Sequence, residues 1–251
     1  MTNLFLRNHP KSRFFKFFSG IDKTFFLIFL GMLYATIFFS SFILGYKVVL
    51  FEGSILCASV FIFPLLFPIN DSITELFGVK VSYLMIGAII ICEFLFSILT
   101  KSASLLPSPP GWQNQELYTS LTSGFLHIAI ADSSSLAISF FANSYFLNKW
   151  GIQLYGKNFL IRSLGATAIG ELIFTIATNL IAFHSFEVAN LQDTINIITS
   201  DYIFKMVYSL LICIPNAILV NKIKSSFSEG KDGKIIDNLI PFNLLKQNYQ
   251  I

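Results

Sequence analysis

Residues 63–78 read FPLLFPINDSITELFG: an apolar run punctuated by prolines that halts at two carboxylates, Asp71 and Glu75, one helical turn apart, and closes on a glycine. An apolar segment that stops at paired acids, with a second apolar segment starting at residue 81, is the pattern of a chain leaving a bilayer and turning back into it. Read outward from this junction, the chain holds six stretches of about 20 apolar residues, the length an α-helix needs to cross hydrocarbon. They cover 24–46, 50–69, 81–100, 124–147, 163–184 and 202–221. Their apolar character is continuous, without the alternation that a transmembrane barrel requires.

Composition agrees. Of 251 residues, 54% are hydrophobic, 12% are charged and 29 are phenylalanine, and the mean hydropathy is +0.69. That leaves too little polar surface to coat a soluble globule. The expected fold class is an all-α integral membrane protein of six transmembrane helices. Its transmembrane domain spans 24–221, between a basic and aromatic arm (1–23) and a polar tail (222–251). The arm lacks a small-residue cleavage site after a short apolar core, so it is read as retained. It suits either a segment lying among lipid headgroups or a disordered basic tail.

Basic residues set the expected orientation. With the N-terminus in the cytoplasm, 14 of the 17 Lys and Arg residues fall on the inner side, and Lys47, Lys101 and Lys205 fall outside. The positive-inside rule is met, and an even number of spans returns the C-terminus to the cytoplasm. The net charge of +3 thereby reports topology, and no nucleic acid partner is invoked. Cys57, Cys92 and Cys213 are each assigned to a different span and have no CxxC spacing. The three histidines form no HExxH pair, and no GxxxxGK[ST] loop is present, which argues against a zinc peptidase and a P-loop nucleotidase. No metal or cofactor is expected. The longest outer connection, 101–123, carries Pro107, Pro109, Pro110 and Gly111 and is expected to be non-helical, a linker or a lid.

Function in such a chain is sought where ionisable groups enter hydrocarbon. Glu93, Asp132 and Glu171 do so, and no lysine or arginine is expected deep enough in the spans to pair with all of them. In the fourth span, Asp132, Ser135, Ser139 and Asn143 share one helical face. In the fifth, Ser163, Thr167, Glu171, Thr175, Thr178 and Asn179 form an answering stripe, with Gly165, Ala166 and Gly170 allowing close approach. Two such stripes on consecutive antiparallel helices suggest a shared wet pocket, with inter-helix polar contacts as the alternative. Pro64 and Pro68 are expected to break the second span near its cytoplasmic end. Asp71 and Glu75 read either as site residues or as an N-terminal cap of the third span in the loop before it.

The order of motifs resembles the VUT family, the queuosine precursor transporters, over about residues 41–183. Lys47 closes span one; Phe63, Pro64, Asp71, Glu75 and Gly78 match the family's FP, D, E and G; an acid follows in span four; Arg162, Gly165 and Thr167 resemble its LRN-x-x-ST segment. The resemblance implies helices arranged as in the substrate-binding components of vitamin uptake transporters. It also implies import of 7-cyano-7-deazaguanine or its aminomethyl relative across the bacterial inner membrane. A buried carboxylate suits the two adjacent N–H donors of a deazaguanine, and Glu171 is the candidate. The expected substrate-binding set is Lys47, Asp71, Glu75, Asp132, Asn143, Arg162, Thr167, Glu171 and Asn179. The chain departs from the family in having Phe42 where it usually has asparagine, Asn143 and Phe174 where it has aspartate, and Glu171 where it has glutamine. The expected partners are a small-molecule substrate of the deazapurine kind and the lipid bilayer, with a homo-oligomer left open. Two alternatives remain: uptake of another small heterocycle or vitamin with a separate energising module, and a membrane-embedded enzyme or assembly factor. The second lacks a nucleophile, base and orienter set.

Overall fold

The computed structural model describes residues 23–45, 47–51, 54–185 and 191–228. The arm before residue 23 and the tail beyond 228 lie outside the described residues. Helix α1 (Lys23–Leu44) leads into an antiparallel hairpin of β1 (Val48–Phe51) and β2 (Ser54–Cys57), in register from Val48 opposite Cys57 to Phe51 opposite Ser54. Two 3-10 turns, Ala58–Phe61 and Phe63–Leu65, then feed α2 (Leu66–Phe77). There follow α3 (Val79–Ser104), α4 (Gln115–Ser123), α5 (Phe125–Gln153), α6 (Phe159–Ser185) and α7 (Leu191–Ser228).

Among the described residues six segments are long and apolar enough to cross a membrane, as the hydropathy pattern requires. Large side chains such as Phe25, Met32, Leu84, Ile91, Leu95 and Leu211 point outward and stay exposed. Only a hydrocarbon surrounding makes so apolar an outer surface stable.

The second span differs from the expected 50–69. It runs from Ala58 to Phe77, because the β-branched and aromatic residues 48–51 pair as a strand with 54–57 instead of entering the membrane as helix. Cys57 accordingly sits on the hairpin and not within a span. The prolines also act in the opposite sense to that expected. Pro64 occupies the first turn of the second 3-10 segment and Pro68 the first turn of α2, where backbone N–H groups have no helical acceptor and a proline loses nothing. They start the helix; they do not break its end. The connection 101–123, expected to be non-helical, is also partly helical, since α4 begins at Gln115, just beyond the Pro107–Gly111 stretch that interrupts the chain.

Span two is the central helix of the bundle: 67% of it is buried, against 28% of the first, third and sixth spans. It touches α1, α3, α5, α6 and α7. The α5–α6 pair forms the largest helix contact, made close by Gly170, where an added Cβ would stand 2.7 Å from the Phe67 ring and 3.0 Å from Cβ of Asn143. Between α2 and α3 the chain reverses at Gly78, with φ +92°, a backbone conformation that costs an L-residue about 1–2 kcal/mol. Gly78→Ala is therefore expected to lower the thermal unfolding midpoint of the detergent-purified protein. Gly87→Ala, in mid-α3 with nothing within 4 Å of the added methyl, is expected to leave it unchanged or raise it.

Candidate functional site

The interior polar groups of the bundle fall into tiers along α2 and α6. At the end where α2 turns into α3, Glu75 accepts hydrogen bonds from Nη2 of Arg162 at 3.0 and 3.1 Å and from Nζ of Lys224 at 2.7 Å. Arg162 is 1% exposed, and its remaining donors reach the backbone oxygens of Leu147, Gly156 and Lys157. One guanidinium thus joins α2, the end of α5 and the start of α6. Its five donors in a planar fork allow this, where a lysine ammonium could not reach all the acceptors.

One turn along α2, Asp71 is fully buried. Its Oδ1 accepts from Nδ2 of Asn143 at 2.6 Å, and its Oδ2 accepts from the hydroxyls of Ser163 and, at 3.2 Å, Thr167. The reading of Asp71 and Glu75 as a cap in a loop is thereby corrected. Both lie inside α2, Asp71 facing α5 and α6 and Glu75 facing α6 and α7, and the cap position before α3 is held by Gly78 with no side-chain bond. Beside them Asn70, Ser82 and Ser144 close a separate ring of hydrogen bonds at 2.7–2.8 Å. Every member there is satisfied within the ring, as inter-helix polar contacts are.

An aromatic tier follows. Phe67 stacks on Phe140 with centroids 4.3 Å apart, and Phe63 stacks on Phe174 at 4.0 Å. Beyond and beside it lies the tier of membrane acids. Glu171 Oε1 accepts from Ser209 at 2.5 Å, while Oε2 is buried with no hydrogen-bond partner among the described residues. Glu93 is held by Ser133 at 2.5 Å, and its Oε1 likewise has no partner there. Asp132 is partly buried and within electrostatic reach of both Glu93 and Lys205.

Lys205 is the residue that the sequence reading misplaced. Assigned to the outer side, it is 6% exposed inside the bundle, donating to Thr175 at 3.3 Å, with its ammonium 5.5 Å from the Phe174 ring centroid and interacting electrostatically with Glu171 and Asp132. A lysine does therefore lie deep enough to serve two of the three acids. The pattern that carries it is legible in span six: Tyr202, Lys205, Ser209, Cys213, Asn216 and Val220 recur at spacings of three and four, one helical face. That face turns inward against α6, which is why the charge near the span's end is enclosed.

The expected residues thus separate. Asp71, Asn143 and Thr167 meet directly; Glu75 and Arg162 meet one turn away; Glu171 and Asp132 lie in the tier of membrane acids. Lys47 is exposed beside the hairpin, its backbone oxygen accepting from Ala58 at 2.8 Å. Asn179 belongs to α6, but its side chain lies outside the described residues. Among the described residues no group of three or more His, Cys, Asp or Glu side chains could hold a metal ion.

Residues 57–220 match the family described as "Putative vitamin uptake transporter". The chain belongs to this family. The match begins at the hairpin's last residue and ends within α7, so it takes in the tiers above except Lys224. No curated protein and no solved structure matches the chain. Membership makes the protein a multi-pass membrane protein of a transporter family and gives the buried tiers a transport setting.

Removing one partner of a buried ion pair leaves the other charge unanswered, at a cost of about 3–5 kcal/mol. Arg162→Ala is expected to abolish or severely reduce the yield of folded protein, with Arg162→Lys giving little rescue. Lys224→Ala, whose partner keeps Arg162 and which is itself 40% exposed, is expected to cost about 1 kcal/mol or less, read as a small shift in thermal midpoint.

Proposed function

We propose that the protein imports a deazapurine queuosine precursor, 7-cyano-7-deazaguanine or a close relative, across the bacterial inner membrane, with both termini in the cytoplasm and without acting as an enzyme. The observation that carries this reading is Glu171: a fully buried carboxylate with one oxygen on Ser209 and the other unpartnered among the described residues. A buried acceptor left unmade is costly, so it is a natural place for a ligand donor. A deazaguanine edge offers two neighbouring N–H donors followed by a carbonyl acceptor. Glu171 accepts from the donors, and Lys205, on the same side of α6, supplies the complementary cation for the carbonyl. Phe174 and Phe63, already stacked, provide faces for a flat ring. Phe174 and Glu171 are both departures from the family pattern, which favours a pocket retuned within the deazapurine class.

The wide cavity on the side of α4 is a poorer candidate. It measures about 610 Å³ and is lined mainly by apolar side chains such as Phe96, Leu106, Trp112 and Phe125. The polar groups there are used within the protein, Ser108 and Gln115 on each other and Thr122 on Ser104.

Uptake of labelled precursor is to be measured in cells lacking both queuosine synthesis and their own importer, with and without this chain. Accumulation that depends on the chain is expected, and none despite verified membrane insertion would sink the proposal. Competition by unlabelled vitamins in the same cells separates a deazapurine from another heterocycle. Glu171→Gln exchanges an acceptor for a mixed group and is expected to weaken binding about 10- to 100-fold, the range for a buried hydrogen bond to a charge. Lys205→Met is expected to weaken it less.

A further inference from the structure

Asp71 is at the centre of the bundle, fully buried on a helix that touches five others, and no basic side chain is hydrogen-bonded to it among the described residues. Glu75, one turn away, takes the nearby Arg162 and Lys224 for itself. An ionised carboxylate held only by neutral groups in a dry interior lacks a compensating charge.

The groups around it are all oxygen-bearing and all buried. The Ser163 and Thr167 hydroxyls meet at Oδ2 of Asp71, and the Asn143 amide meets Oδ1. The amide gives an independent observation. Asn143 is fully buried, and its Oδ1 has no hydrogen-bond partner among the described residues. A half-turn of the amide leaves its shape unchanged and brings Oδ1 to where Nδ2 now stands, 2.6 Å from Asp71. In that orientation two like acceptors face each other, which is stable only when a cation or a proton bridges them. A cation bridging them would be held by the Asp71 carboxylate and the Asn143 oxygen, with the Ser163 and Thr167 hydroxyls beside Oδ2.

We propose that Asp71, Asn143, Ser163 and Thr167 form a binding site for a sodium ion. Hard cations take oxygen ligands, and one carboxylate balances one positive charge, so a divalent ion would leave a net charge in hydrocarbon. The tight cluster of hydroxyls on successive turns of α6 suits a small ion. Bound there, the ion ties α2 to α5 and α6. The use of the site to drive uptake rests on the transport reading above; the site itself rests on this geometry alone.

The test is binding of radiolabelled Na+ to the purified full-length chain in detergent, with no organic substrate present. Saturable binding displaced by unlabelled Na+, and not by equal concentrations of K+ or choline, is expected. Asp71→Asn should remove it, Thr167→Val and Asn143→Ala should each weaken it about ten-fold or more, and Thr167→Ser should retain it. Should Asp71→Asn fail to yield folded protein, the comparison of Thr167→Val with Thr167→Ser decides. No displaceable binding to the wild-type chain, or equal binding in Thr167→Val and Thr167→Ser, overturns the proposal, and a site that responds to pH alone would mark it as a proton site. Sodium binding without deazapurine uptake refutes only the substrate reading; uptake without sodium binding refutes only the ion site.

Discussion

A charge carried into the middle of a bilayer must be answered by the protein, because lipid offers it neither water nor counterion. In this bundle that constraint settles the place of α2. Asp71 faces Asn143 on α5 and Ser163 and Thr167 on α6, and Glu75 faces Arg162 and Lys224. Satisfying two carboxylates one turn apart fixes the rotation of α2 about its axis. Once that is fixed, Phe67 necessarily meets Phe140, and Asn70 meets Ser82 and Ser144 on the other side.

The prolines make this geometry attainable. A 3-10 turn rises about 2.0 Å per residue against 1.5 Å in an α-helix, so starting span two with two such turns extends it while keeping α2 short. Pro68 has no N–H to satisfy, and its carbonyl accepts from Nδ2 of Asn216 at 3.0 Å, while Oδ1 of the same amide accepts from Ser72 at 2.9 Å. The carbonyl end of the irregular segment is thus held by α7, just after that helix's own Pro215. Irregular backbone at membrane depth persists only where protein encloses it, and the central position of α2 provides that enclosure.

Span number and helical class were legible because continuous apolar runs of about 20 residues leave few alternatives. The polar stripes of spans four and five were legible too, since Ser139, Asn143, Ser163, Thr167 and Glu171 share faces by their spacing and all are buried. Three features were not. The hairpin at 48–57 is as apolar as a span, and hydropathy does not separate a strand from a helix over so short a run. The role of Asp71 and Glu75 depended on partners 72 to 149 residues away, which no local pattern reveals. Lys205 sits near the edge of its span, where a lysine usually extends to the interface; only the inward face of α7 shows that it does not.

The two buried acids on this axis meet opposite electrostatic conditions, and that difference bears on how their occupants communicate. Glu171 has a cation, Lys205, within reach, so an uncharged ligand suffices to complete its hydrogen bonds. Asp71 has neutral partners only, so its natural complement carries charge. Thr167, which holds Asp71, and Glu171 are one turn apart on the same face of α6, with Gly170 between them packed against Phe67 and Asn143. An ion that fixes Thr167 and Asn143 therefore also fixes the turn of α6 that presents Glu171. By linkage, any gain in ligand affinity from the ion is returned as the same gain in ion affinity from the ligand. In the proposed scheme the route between the two is this single turn of α6, short enough that both sites bias one rigid element.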